Sequence, residues 1–156
     1  MDIEDVFQAV RLNDVNLLRT FFGTFDINSL NEEGQSLLHE ASAYNSLECA
    51  QELLNLGVDC DHKDKLGVAA LHYCASNFSV DVAKIILEYG ANVNINDLYG
   101  NEPLWTAVFN ARGKYDLVKL LKDFKADSNH KNSSDKSPLD FAKKIGDEKL
   151  ILILEN

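Results

Sequence analysis

The segment KLGVAALHYCASNFSVDVAKIILEYGANVNIND, residues 65–97, carries the pattern that indicates the fold. It contains two short apolar segments, and in the second, four apolar residues recur at the spacing of one helix face: Val82, Ile85, Ile86 and Tyr89. Gly90 predicts the end of that helix, because a residue without a Cβ turns easily into the left-handed conformation. Helices this short are unstable alone. We therefore expect this unit to pack against neighbours of the same kind.

The same pattern recurs along the chain at a period of 33 residues. Three columns of matching residues carry it: Gly34, Gly67 and Gly100; Leu38, Leu71 and Leu104; and Gly57 with Gly90. Self-similarity at this period, with two helices per unit, indicates a stacked array of repeats.

Two kinds of segment resemble the ankyrin repeat. Its TPLHxAA helix start is similar to GQSLLHEAS, GVAALHYCAS, GNEPLWTAV and KSPLDFAKK, and its LLLxxGADVN end is similar to LLNLGVDCD, ILEYGANVN and LKDFKADSN. The resemblance covers nearly the whole chain. It implies an all-α solenoid of about five helix-turn-helix units with short β-hairpin-like turns. It also implies non-catalytic binding of another protein, through a concave face made of turn tips and first helices.

The register divides the chain into five units of one domain. Residues 1–31 and 133–156 are the expected amino- and carboxy-terminal caps, and 32–64, 65–97 and 98–132 are the internal repeats. The fourth unit has two extra residues, which we place in an exposed loop between its helices, around 110–114. Lys125 stands where two other units have glycine, so we expect that helix end to be strained or differently capped.

The charge of the chain is unevenly distributed. The formal net charge is −10, and residues 1–64 hold 13 acidic and 3 basic side chains. This sign argues against nucleic acid or an anionic membrane as the ligand, although it also serves solubility. No apolar run reaches the length of a transmembrane helix, the amino terminus is acidic where a signal peptide is basic, and the cysteines suit a reducing compartment. We expect a cytoplasmic chain that is monomeric when free.

Nothing in the sequence forms a complete reactive site. The segment CDHKD at 60–64 has the residue types of a metal site, but it lacks a second ligand pair. There is no phosphate-binding loop or nucleophile motif. The three cysteines occupy positions of small buried hydrophobic residues. His39 and His72 share one repeat position, and in the ankyrin family this histidine bonds backbone between adjacent turns. We expect no catalytic residue, no metal and no cofactor.

The candidate binding residues are those that the register points outward. They are the acidic Glu32, Glu33 and Glu40, the apolar or aromatic Tyr44, Leu66, Tyr73, Leu98, Tyr99, Trp105 and Phe109, and the basic Arg112. Tyrosine and tryptophan are enriched at interface hot spots. For Trp105 the register favours packing between units over binding, and for Leu98 and Tyr99 it favours binding.

An aromatic centre beside an acidic end suits a basic partner that exposes an apolar patch. The fourth unit, GNEPLWTAVFNARGKYDLV, looks like those of small stand-alone bacterial ankyrin proteins, some of which act as immunity proteins against secreted toxins. We therefore predict an inhibitor of a basic, nuclease-like toxin domain. The alternative is a general cytosolic adaptor. An enzyme or stress-resistance factor of unfamiliar type is a third interpretation, which the missing site argues against.

Overall fold

The computed structural model describes residues 2–156, and ten helices in this range form two layers. The first helices are α1 (Ile3–Arg11), α3 (Leu37–Tyr44), α5 (Ala70–Asn77), α7 (Pro103–Asn110) and α9 (Pro138–Ile145). The second helices are α2 (Val15–Thr20), α4 (Leu47–Asn55), α6 (Val80–Glu88), α8 (Asp116–Asp123) and α10 (Glu148–Glu155). Each helix packs on its partner and on the same-layer helix of the next pair. The predicted all-α stack of helix pairs is confirmed.

The local sequence explains where several first helices begin. The Asp2 carboxylate accepts a hydrogen bond from the amide of Glu4 at the start of α1. Helices α7 and α9 have proline at their first position, where the missing N–H costs nothing. At α9, Ser137 N–H donates to Asp140 Oδ2 at 2.9 Å, and Asp140 N–H donates to Ser137 Oγ at 3.1 Å. This reciprocal capping satisfies two amides that the helix leaves free.

Hairpin-like turns connect one helix pair to the next. Each begins at an Asn or Asp whose side-chain oxygen accepts from the amides two and four residues later: Asn31, Asp64, Asp97 and Asn132. Backbone bonds then join neighbouring turns, from Lys65 N–H to Glu33 O (3.1 Å), Leu98 N–H to Leu66 O (3.1 Å) and Ser133 N–H to Tyr99 O (2.9 Å). The turns therefore stand in a row along one edge of the stack. We number each turn after the unit that it opens, so the turns that begin at Asn31, Asp64, Asp97 and Asn132 are the second, third, fourth and fifth turns.

The glycine of the third unit's turn is required by the close approach of the next turn. Gly67 has a φ of +73°, and a Cβ at this position would lie 2.8 Å from the backbone nitrogen of Leu98. Asp135 holds the equivalent position of the last turn with a φ of 56°, which aspartate tolerates better than most residues. Lys125 has a φ of 69°, so the expected strain at that helix end is confirmed.

The core runs continuously between the two layers. Leu38, Leu71 and Leu104 are all buried, as the repeat register predicts. The extra residues of the fourth unit lie in the loop 111–115, whereas the corresponding loops after α3 and α5 contain two residues. The helix pair itself is preserved, because the added chain is placed in this loop.

Candidate functional site

The most exposed apolar side chains of the row of turns are Leu66, Leu98 and Tyr99. They are 56%, 68% and 63% exposed. Their backbones are nevertheless fixed, because Leu66 and Leu98 share a backbone hydrogen bond and Tyr99 accepts one from Ser133. We call these three residues the turn-tip surface. Exposed apolar groups on a fixed backbone can bind a partner at a low cost in conformational entropy.

An open cleft of about 660 Å³ lies beside Leu66, between the second and third turns. Its lining consists of Glu32, Glu33, Gln35, Asp64, Lys65, Leu66 and Tyr73. The half-buried Tyr73 hydroxyl donates to Asp64 Oδ2 at 3.0 Å and accepts from Gln35 Nε2 at 2.5 Å, and its ring meets that of His39 edge-on at 5.4 Å. Burial, followed by the hydrogen bond to Asp64, raises the pKa of Tyr73 to about 12. This residue is therefore a fixed, uncharged wall of the cleft.

The three acidic candidates separate into two environments. Glu32 and Glu33 are exposed at the rim of the cleft, and within residues 2–156 neither carboxylate forms an ion pair. Glu40 is only 7% exposed and pairs with Arg11, which also pairs with Glu4. The expectation that Glu40 presents a free surface carboxylate is therefore wrong. Its charge is neutralised by a guanidinium from the preceding unit, and these contacts raise the pKa of Arg11 further.

The aromatic candidates on the first helices also differ in exposure. Tyr44 and Phe109 are exposed, whereas Trp105 is half-buried. The Trp105 ring lies 5.8 Å from that of Phe141, and the Phe109 ring lies 5.3 Å from the same ring. Trp105 thus packs between the fourth and fifth helix pairs, as the register favours. Phe109 combines this contact with a free face.

The structure places Arg112 away from the turn tips. It is exposed in the loop after α7, with a φ of 44° followed by 87° at Gly113. The eight residues of α7 separate this loop from the fourth turn, a distance of about 12 Å along the helix. Arg112 therefore does not join Leu98 and Tyr99 in one patch.

Histidines bridge the turns instead of forming a reactive site. His39 Nε2 contacts Val68 O at 2.9 Å, and His72 Nε2 contacts Asn101 O at 2.8 Å. Burial lowers the pKa of both imidazoles, so they are neutral and donate through Nε2. This confirms the bridging role that the family resemblance implies. His62 makes a similar bond to Gly34 O at 2.9 Å, which the sequence reasoning missed although the histidine stands just before the turn.

Glu102 is a second feature that the sequence reasoning missed. It occupies the position before α7 where other units have Ser36, Ala69 and Ser137. The residue is 4% exposed, and its Oε1 lies 3.4 Å from His130 Nδ1. Comparing the repeat positions could have revealed it, because a carboxylate replaces a small side chain in a buried column.

The remaining reactive groups are placed for structure. Cys49 and Cys74 are fully buried, and burial raises the pKa of their thiols to about 11 and about 12. Cys60 is half-buried, less than its register position predicts. Among residues 2–156, no group of three His, Cys, Asp or Glu side chains is arranged to hold a metal ion. Within the same range, every helix is too short or too polar to cross a bilayer.

Comparison with known proteins shows where similar repeats occur. A family model described as "Ankyrin repeats (3 copies)" matches residues 6–97. The B-cell lymphoma 3 protein homolog of Mus musculus is 35% identical over 118 residues, which cover 75% of this chain and 26% of that protein. A putative ankyrin repeat protein of Fowlpox virus, FPV031, is 33% identical over 120 residues, covering 73% of this chain and 35% of that protein.

A bacterial relative is also similar. A putative ankyrin repeat protein of Rickettsia felis is 33% identical over 78 residues, covering 49% of this chain and 20% of that protein. The chain thus spans only about a third of the length of these relatives, or less. The similarity concerns the repeats and not the whole of these proteins.

Proposed function

Because the chain belongs to the ankyrin repeat family, we propose that it is a non-catalytic protein-binding module that uses its turn-tip surface and the adjoining first helices. Ankyrin repeats mediate protein–protein interaction, so the family supports the general class of function. The observation that carries the proposal is the exposure of Leu66, Leu98 and Tyr99 on turns whose backbones are hydrogen-bonded to one another. Packing within the chain does not explain why these three side chains are apolar, because most of each is exposed.

The partner that fits this surface is basic and exposes an apolar patch. Glu32 and Glu33 stand beside the wall made by Leu66 and Tyr73. A lysine or arginine side chain can lay its aliphatic stem on such a wall while its charged head meets the carboxylates. The excess negative charge of residues 1–64 would also speed the approach of a basic partner.

Our more specific proposal is that the chain inhibits a basic, nuclease-like toxin domain in the cytoplasm. An acidic surface can occupy a cationic substrate cleft and exclude the nucleic acid. The cytoplasmic setting is supported by three cysteines that are all free thiols. The alternative, a general adaptor, would use the same surface on a partner that stays active when bound.

The test begins with the proteins that co-purify with the tagged chain from its native cells. The binding constant for the recovered partner is then compared between wild type and a Leu98→Ala, Tyr99→Ala variant, for which we expect a loss of about tenfold or more. Tyr89→Ala is the matched control, because Tyr89 is an exposed tyrosine of the second-helix layer. Equal affinity of the double variant and wild type would refute the surface assignment.

The salt dependence of binding and the activity of the bound partner distinguish the toxin inhibitor from the general adaptor. With Glu32→Gln and Glu33→Gln, we expect a slower association rate and a weaker dependence of that rate on salt. Loss of a partner's nuclease activity on binding supports the inhibitor. A neutral partner that keeps its activity, with binding indifferent to salt, contradicts it and favours the adaptor.

A further inference from the structure

The buried Glu102 and the half-buried His130 form an acid–base pair between the fourth turn and the segment that leads from α8 to the fifth turn. Glu102 Oε1 faces His130 Nδ1 at 3.4 Å, and within residues 2–156 the buried Oε2 has no hydrogen-bond partner. A buried carboxylate oxygen without a partner is costly. The repeat does not require an acid here, since the equivalent residues are Ser36, Ala69 and Ser137.

The hydrogen bond made by His130 Nε2 determines where a proton can lie between His130 and Glu102. His130 Nε2 lies 3.0 Å from the carbonyl oxygen of Gly100, so it carries a hydrogen and donates it. The facing atoms, His130 Nδ1 and Glu102 Oε1, then attract each other only when one proton lies between them. Without that proton, two lone pairs face each other and both carboxylate oxygens lack a donor.

This contact acts on the turn that carries part of the turn-tip surface. Gly100 follows Tyr99 directly, and the same turn accepts Ser133 N–H at Tyr99 O (2.9 Å) and Asn132 Nδ2–H at Asn101 Oδ1 (2.9 Å). A shift of His130 would therefore disturb these hydrogen bonds between the fourth and fifth turns.

The other charged groups around the pair do not replace the missing proton. Asp127, from the α8–α9 connection, repels a second negative charge at Glu102. His72, from α5, is neutral because burial lowers its pKa, and it bonds Asn101 O. Asp97, in the same turn, accepts backbone amides. Lys131 is paired with Asp140 of α9.

We propose that the Glu102–His130 pair is a proton-dependent contact, which fixes the fourth turn while one proton is shared and loosens it when that proton is lost. Its consequence for binding rests on the proposed function: a looser turn would present Leu98 and Tyr99 less favourably, so the partner would bind more tightly at lower pH.

The relevant pH range lies at and below neutrality. Burial raises the pKa of Glu102 from the usual 4.5 to about 7, with Asp127 adding to the rise and the charge of His130 opposing it. The folded chain thus holds this proton more tightly than the unfolded chain does. The stabilising effect of protonation is present at low pH and falls as the pH rises towards 7.

The test is amide hydrogen exchange of the free protein, corrected for the intrinsic pH dependence of exchange. We expect the protection of the Ser133 amide to fall by up to about tenfold between about pH 6 and about pH 8. The Leu98 amide, bonded to Leu66 O one turn earlier, should keep its protection.

Glu102→Gln supplies the decisive variant, because the neutral amide can donate to His130 Nδ1 at every pH. The protection of the Ser133 amide should then be independent of pH, whereas Glu88→Gln, a change at an exposed acid of α6, should leave the wild-type response intact. Glu102→Ser, which copies Ser36 and Ser137, replaces the first variant if that one does not fold. Constant wild-type protection, or a pH response that survives in the Glu102 variant, overturns the proposal. The measurement needs no partner, so its failure would leave the binding surface untouched.

Discussion

Truncation of Leu71 gives a direct test of the stacking on which this fold depends. Leu71 is 2% exposed on α5, whose helix packs against both α3 and α7. Leu71→Ala removes three carbon atoms from the core, which costs about 2.4 kcal/mol at about 0.8 kcal/mol per buried carbon group. A residual cavity of about 50 Å³ would add about 1 kcal/mol. We therefore expect a loss of about 3–4 kcal/mol in the free energy of unfolding.

Urea unfolding, followed by far-ultraviolet circular dichroism, measures this loss. Leu66→Ala is the matched control, because the side chain removed is the same but is exposed. That change should alter stability by less than about 0.5 kcal/mol. A loss below about 1 kcal/mol for Leu71→Ala would mean that neighbouring units do not share a tightly packed junction at this residue.

Two further substitutions test the backbone of the turns and helix ends. Gly67→Ala should destabilise the fold by about 2 kcal/mol or more, because φ is +73° and the added Cβ would lie 2.8 Å from the Leu98 nitrogen; an unchanged urea midpoint would contradict the close approach of the two turns. Lys125→Gly should raise the urea midpoint, with a gain of up to about 1 kcal/mol, because a φ of 69° strains any residue with a Cβ. A lowered midpoint would mean that the lysine side chain contributes more than its backbone costs.

The repeat register predicted the features that recur at the same position of successive units. The leucine column is buried, His39 and His72 bridge adjacent turns, and Lys125 has a positive φ. In each case a position of the repeat keeps the same backbone conformation or the same neighbours from one unit to the next. A single sequence therefore carries enough information for these features.

The repeat register could not predict contacts between residues that do not recur from one unit to the next. Glu40 was expected on the surface because its helix position points outward, but Arg11 from the preceding helix pair covers and neutralises it. The two residues are 29 positions apart, and nothing in the periodicity links them. Their pairing depends on the reach of a long side chain across the junction between α1 and α3.

The fourth unit shows how the departures from the repeat are connected. Where the second and third units have His39 and His72, it has Trp105, so the histidine bond to the next turn is missing at this junction. At this junction the Trp105 ring lies against that of Phe141, and His130 bonds Gly100 O as His62 bonds Gly34 O in the second unit. The added contact is that between His130 and Glu102. It depends on a proton, which a histidine-to-carbonyl bond between neutral groups does not. The same unit carries Leu98 and Tyr99, which are more exposed than Leu66 of the turn before. Stacking of the units requires neither the exposed Leu98 and Tyr99 nor the buried Glu102, so we expect the fourth unit to contribute most to the proposed binding.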